Sequence, residues 1–253
     1  MRRGLWSQAM KAPTEKAPIE TAMILAAGLG TRMQAAADAP PKPLTELAGQ
    51  SLLARMIDRL VAAGIQRIII NMHHKAAAII AFAEAYQGPA QLILSDERDM
   101  LLETGGGVKK ALPLLGTAPF LVANGDVVWL EDSPVLPAFI DAFAANEPQA
   151  QLLLAARQRA TGYDGRGDYH LLDDGRLQRK TGDSAPYIFA GVQVLTPALF
   201  AAMPEGAFSL NKVYDAAQAD DGLYGHVLDG TWMHVGTPQG RAEAEARLAA
   251  ARR

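Results

Sequence analysis

One stretch, from Met23 to Leu44, constrains this chain more than any other: M-I-L-A-A-G-L-G-T-R-M, then a polar loop, then P-P-K-P-L. The apolar run Ala22 to Leu25 reads as a buried parallel strand. Ala26, Ala27, Gly28 and Gly30 shed side-chain bulk where it ends, so backbone amides in the turn through Thr31 can approach a ligand closely. Arg32 adds a planar, permanently charged fork, and Lys42 adds a compact charge stiffened between Pro41 and Pro43. Such a turn suits a polyanion, and a nucleoside triphosphate is the natural guest.

The common glycine-loop alternatives fit poorly. Gly28-Leu29-Gly30-Thr31-Arg32-Met33 begins like a dinucleotide fingerprint, but Met33 stands where a third small residue should pack helix on strand. The next expected strand ends in Asn71, not in an acid that could hold a ribose. A P-loop needs its lysine directly after the last glycine, whereas Lys42 lies beyond a long loop.

Downstream, strand and helix patterns alternate. Ser51 can cap a helix from Leu52 to Ala63 that carries Leu53, Met56, Ile57, Leu60 and Val61 on one face and stops at Gly64. Strands are expected at Ile65 to Asn71, Gln91 to Ser95 and Phe120 to Ala123, and helices at Lys75 to Tyr86, after Gly107 to Leu115, and at Pro134 to Ala145. Repeated units of this kind predict an α/β fold: a Rossmann-like, mainly parallel mixed sheet flanked by helices. From Gln151 the strands are separated by turns, which predicts added antiparallel strands and a small substrate lobe. Helices are expected at Pro197 to Met203, Leu210 to Asp220 and Pro238 to Ala250. Residues 1–20 read as a flexible extension, and 21–253 as one domain.

Composition removes several function classes. A formal charge of −3 with interspersed signs gives no basic stripe for nucleic acid and no polybasic membrane patch. The absence of cysteine excludes disulfides, thiolate metal sites and cysteine nucleophiles. With no membrane span or export segment in the pattern, a cytoplasmic monomer or small homo-oligomer acting on small molecules is expected.

Two further segments carry chemistry. Phe120 to Asp126, F-L-V-A-N-G-D, places a carboxylate just past a buried strand, at the sheet edge onto which the Gly28 turn opens. Asp126 can meet phosphates there, or it can be a turn residue. In L-E-T-G-G-G, three glycines would weaken a helix interior, so Glu103, Thr104 and Gly105 read as a loop whose backbone meets a base or ribose; a helix start capped by Thr104 is the alternative.

L-A-A-G-L-G-T-R-M, P-K-P-L and A-G-Q-S-L-L together resemble the sugar-1-phosphate nucleotidylyltransferases, whose fold is of the nucleotide-diphospho-sugar transferase type, from about Ala22 to about Gly240. Within that family the chain is most similar to the short bacterial N-acetylmuramate-1-phosphate uridylyltransferases, with the mannose-1-phosphate guanylyltransferases second; L-E-T-G-G-G favours uridine. The resemblance implies transfer of a nucleoside monophosphate from UTP to a sugar 1-phosphate in cell-wall precursor recycling. Arg32, Lys42 and Asp126 would be catalytic, with Asp126 a Mg²⁺ ligand. W-M-H-V-G-T departs from the family's W-x-D-V-G-T: His234 stands where the second metal ligand is expected, which opens Mn²⁺ or Co²⁺, or a phosphate contact, or a site held by Asp126 alone. A non-catalytic nucleotide-sugar sensor is the rival that this departure raises. The polar turn Gly165 to Tyr169, with Asp168, can face the sugar phosphate or be a solvent loop; the resemblance implies Lys180 and Gly191 on the sugar side, with Asn124 beside them and Lys212 a weaker candidate. His73 and His74 read as packing or capping residues.

Overall fold

The computed structural model describes residues 19–28, 40–131, 133–146 and 148–251. Most of the expected N-terminal extension, and the segment with Gly30, Thr31 and Arg32, lie outside the described residues. In chain order the first half contains β1 (Thr21–Leu25), a small hairpin of β2 (Glu46–Leu47) and β3 (Gln50–Ser51), α1 (Leu52–Ala62), β4 (Arg67–Met72), α2 (Ala76–Ala85), β5 (Gln91–Asp96), α3 (Glu103–Leu115), β6 (Phe120–Asn124), β7 (Val128–Glu131) and α4 (Val135–Asn146). The second half adds β8 (Ala150–Ala156), β9 (Ala160–Thr161), β10 (Tyr169–Leu171), β11 (Leu177–Arg179), β12 (Tyr187–Leu195), α5 (Asn211–Ala219), β13 (Leu223–Val227), β14 (Gly230–Met233) and α6 (Pro238–Ala250).

Ala22, Met23 and Ile24 have no solvent exposure because β1 is paired on both edges and covered on both faces. Ala22 and Ile24 pack with Leu53, Met56, Ile57 and Leu60 of α1, Ile79 of α2 and Phe139 of α4. Met23 points the other way, into Val108 and Ala111 of α3 and Val213 and Ala217 of α5. Each fully buried Leu or Ile contributes about 1.5–3 kcal/mol, so this two-faced core fixes the register of the central strand. At the start of α1 the Ser51 hydroxyl accepts the Ala54 amide at 3.2 Å, and Gly64, at φ 90°, follows the helix end in the left-handed region.

The main sheet runs β11-β10-β12-β6-β1-β4-β5, with β8 and β13 attached through β12. β5, β4, β1 and β6 are parallel, whereas β12 is antiparallel to both β6 and β8. A mixed α/β sheet with added antiparallel strands is thus what the chain forms. From β1 the chain builds outward through β4 to β5 and then returns to β6 on the other side, so the order reverses between β1 and β6. Ligand crevices of open α/β sheets form at the carboxyl ends of strands at such a switch point.

Three local expectations change. α3 starts at Glu103, so Gly105, Gly106 and Gly107 lie inside the helix and are buried. Only Pro197–Phe200 of the expected 197–203 helix is helical, as a 3₁₀ turn. β7, β9 and β14, whose partners lie far apart in sequence, form a separate three-stranded sheet. Among the described residues no helix is long and apolar enough to cross a membrane.

Candidate active site

Register brings the two strand ends together: Leu25 pairs with Asn124, and the Gly125 amide donates to the Leu25 carbonyl at 3.0 Å. A Cβ on Gly125 would lie 2.9 Å from that carbonyl, so only glycine lets the β6 turn press against the β1 turn. The turn at residues 26–28 and Asp126 therefore open onto one cleft of about 590 Å³. Lys42 enters from a 3₁₀ turn, Lys42–Leu44, that begins just after Pro41, and its ammonium forms an ion pair with Asp126.

The cleft is lined by Ala26, Ala27, Gly28, Lys42, Asn124, Asp126, Glu103, Thr104 and His234 among the residues expected to act. Glu103 opens α3 at φ 57°, a left-handed conformation that costs an ordinary residue about 1 kcal/mol or more. Thr104 is not a helix cap; its hydroxyl accepts the Leu210 amide at 2.9 Å.

Gly105 needs a correction. It does not line the cleft: its amide donates to the Phe208 carbonyl at 2.7 Å, and a Cβ would lie 2.4 Å from the Phe208 ring. Gly106 is equally tight, with a Cβ 2.2 Å from the Gly206 carbonyl. These glycines serve close packing of α3 on the segment before α5, not a base edge.

His234 follows β14 and lines the same cleft as Asp126. Its amide donates to Thr161, its ring stacks on Trp232 at 6.0 Å between centroids, and Nδ1 lies 3.2 Å from the Gly162 carbonyl. A carbonyl only accepts, so Nδ1 carries the hydrogen at this contact. Gly236 makes room, since a Cβ there would lie 2.6 Å from Nε2. Among the described residues no three acidic or histidine side chains gather as a ready metal cage. Asp126 and His234 both line the cleft and offer one oxygen-type and one nitrogen-type donor.

The sugar-side candidates divide. Gly191, at φ 87°, marks the bulge in β12 and backs directly onto Asn124 and Val127. Asp168 fastens strands, since its carboxylate accepts the Phe189 amide at 2.9 Å and its backbone pairs with Tyr187 and Lys180, and it is not among the residues that line this cleft. Lys180 and Lys212 do not line it either. His73 places Nδ1 2.6 Å from the Glu97 carbonyl.

Sequence reasoning missed Asn71, Ser209 and Thr237 in the lining. Asn71 had a usable signal, a polar residue at the end of an apolar strand; Ser209 reaches the cleft only through the packing of Phe208 on α3.

Comparison with known proteins accords with this geometry. Residues 22–218 match the MobA-like NTP transferase domain. The chain is 42% identical to the N-acetylmuramate alpha-1-phosphate uridylyltransferase of Caulobacter vibrioides, over 91% of this chain and 97% of that protein. The corresponding enzyme of Neisseria meningitidis is 34% identical over 89% and 96%. The UTP-bound UGPase from Acinetobacter baumannii superposes with a TM-score of 0.73 at 20% identity, over 91% of this chain and 93% of that one, a likeness of fold. The chain belongs to the MobA-like NTP transferase domain family and, within it, is a sugar-1-phosphate nucleotidylyltransferase.

Proposed function

We propose that the cleft binds UTP and N-acetylmuramate 1-phosphate, and that an oxygen of the sugar phosphate attacks the α-phosphorus. The new bond joins that oxygen to phosphorus, the bond to the β-phosphate bridge breaks, and UDP-N-acetylmuramate and pyrophosphate leave. The observation that carries this reading is the 42% identity spanning 97% of a uridylyltransferase with this substrate, joined to a switch-point cleft holding Lys42 and Asp126. The reaction would serve reuse of a cell-wall sugar in the cytoplasm.

A phosphate monoester has a second pKa of about 6, so the nucleophile is anionic near neutrality and no general base is required. The chain's contribution is alignment and charge. Lys42 exchanges its carboxylate partner for phosphate oxygens when the nucleotide enters, and the turn at residues 26–28 closes on the triphosphate with backbone. Arg32, on the adjacent segment, neutralises the departing pyrophosphate. Asn124, braced by Gly191, faces the incoming sugar phosphate; Lys180, outside the cleft lining and with no ion pair among the described residues, would reach it only from beyond that lining. A divalent cation, Mg²⁺ or with imidazole present Mn²⁺ or Co²⁺, would be held by Asp126 and His234 and would supply charge neutralisation at the phosphates.

The test crosses four nucleoside triphosphates with muramic, glucosamine, glucose and mannose 1-phosphates and measures pyrophosphate release. UTP with the muramic substrate should exceed every other pair. Faster release with GTP and mannose 1-phosphate would replace the reading, and nucleotide binding without release in any pair would make the protein a sensor.

A further inference from the structure

Two buried polar side chains, Asn71 in the cleft lining and its neighbour Glu97, take no part in the chemistry above. Asn71, 2% exposed, accepts the Ala26 amide on Oδ1 at 2.7 Å, just where β1 gives way to the ligand turn. Its Nδ2 donates to Oε1 of Glu97 at 2.8 Å. Glu97 is wholly buried after β5, and its second oxygen, Oε2, has no hydrogen-bond partner.

A carboxamide is nearly symmetric in shape but not in chemistry. Only its oxygen can accept the Ala26 amide, and Glu97 presents an acceptor that selects the NH₂ end. Gly107 of α3 lies against the pair: a Cβ there would be 2.8 Å from Glu97 Oε1 and 3.0 Å from Asn71 Nδ2. Glycine weakens a helix interior relative to alanine, and a buried carboxyl with an orphan oxygen destabilises the fold. Apolar residues would fill the space at lower free energy, so the arrangement is explained by what it holds in place.

We propose that Asn71 and Glu97 are positioning residues for the nucleotide. Glu97 sets the amide orientation of Asn71, and Asn71 anchors Ala26, which keeps the turn at residues 26–28 in the shape that receives the triphosphate. This rests on the reading of the cleft as a nucleoside triphosphate site.

The experiment measures the Kd of UTP with magnesium by calorimetry, and the separate KM values for UTP and N-acetylmuramate 1-phosphate. Glu97→Leu removes the acceptor and should raise Kd and KM for UTP about tenfold, the scale of one mis-set hydrogen bond, while the sugar-phosphate KM stays within about twofold. Glu97→Gln keeps an oxygen for Asn71 and should restore the wild-type constants. Gly107→Ala favours the helix but pushes on the pair, so it should weaken UTP binding in a folded protein and carries the test should Glu97→Leu fail to fold. Unchanged UTP constants in Gly107→Ala and in any folded Glu97→Leu, an equal rise in both KM values, or a Gln variant as weak as Leu would overturn the proposal. Wild-type protein that binds no UTP would instead overturn the nucleotide reading and the proposal with it.

Discussion

Lys42 and Asp126 form an ion pair although 84 residues separate them, because the β1 and β6 turns meet at the point where strand order reverses. Both side chains are partly exposed, at 24% and 34%, so the pair adds little to stability. Lys42→Ala should therefore lower turnover by roughly 10²–10³-fold, the scale of one lost transition-state charge, with a nearly unchanged melting temperature. Steady-state kinetics with thermal melting checks this; near-wild-type turnover would remove Lys42 from the mechanism.

Gly191→Ala joins a strained φ of 87° to a Cβ 2.5 Å from Val127 and 3.2 Å from the Asn124 amide. A loss of about 1–3 kcal/mol is expected in denaturant unfolding, together with a raised KM for the sugar phosphate as Asn124 is displaced.

Gly106→Ala should be destabilising against its helix propensity. Alanine gains about 1 kcal/mol over glycine in a helix, but its Cβ would sit 2.2 Å from the Gly206 carbonyl. A net loss of about 1–3 kcal/mol is expected, measured by the same unfolding assay; a net gain would show that the 206–210 segment gives way.

Burial raises the Glu97 carboxyl above its ordinary value of 4.5, against the Asn71 hydrogen bond and the charges of Lys110 and His73. With the folded-state pKa raised, the contribution of Glu97 is fully present below the ordinary value and is lost as pH rises through the raised one. Glu97→Gln cannot ionise, so its stability relative to wild type should climb as pH increases from about 4.5. Unfolding of both proteins between about pH 4 and pH 8 measures the difference; a flat difference would mean that Glu97 titrates as in the unfolded chain.

Much of the frame was legible from residue pattern. The short apolar runs at Ala22, Ile68 and Leu121, bounded by turn residues, read as strands covered on both faces and form them, and Ser51, Gly64 and Pro238 punctuate helices by local chemistry. Lys42 stood out by its proline frame and Asp126 by the turn after a buried strand, and the structure pairs the two in one cleft. What escaped depends on distant partners. The glycines of α3 look like a ligand loop until Phe208 and Gly206 are seen against them, and Asp168 looks like a free loop acid until β12 supplies the Phe189 amide. The β7-β14-β9 sheet, which carries His234 into the cleft, joins segments that no local period connects.

In the proposed reaction one cleft directs attack on the α-phosphorus of a nucleoside triphosphate. A single-turnover reaction of UTP labelled at the α-phosphate, with N-acetylmuramate 1-phosphate, tests it most directly. The label should pass into UDP-N-acetylmuramate with unlabelled pyrophosphate released, and Lys42→Ala should slow that transfer. Label appearing in UDP or free UMP, or transfer indifferent to Lys42, would contradict the account.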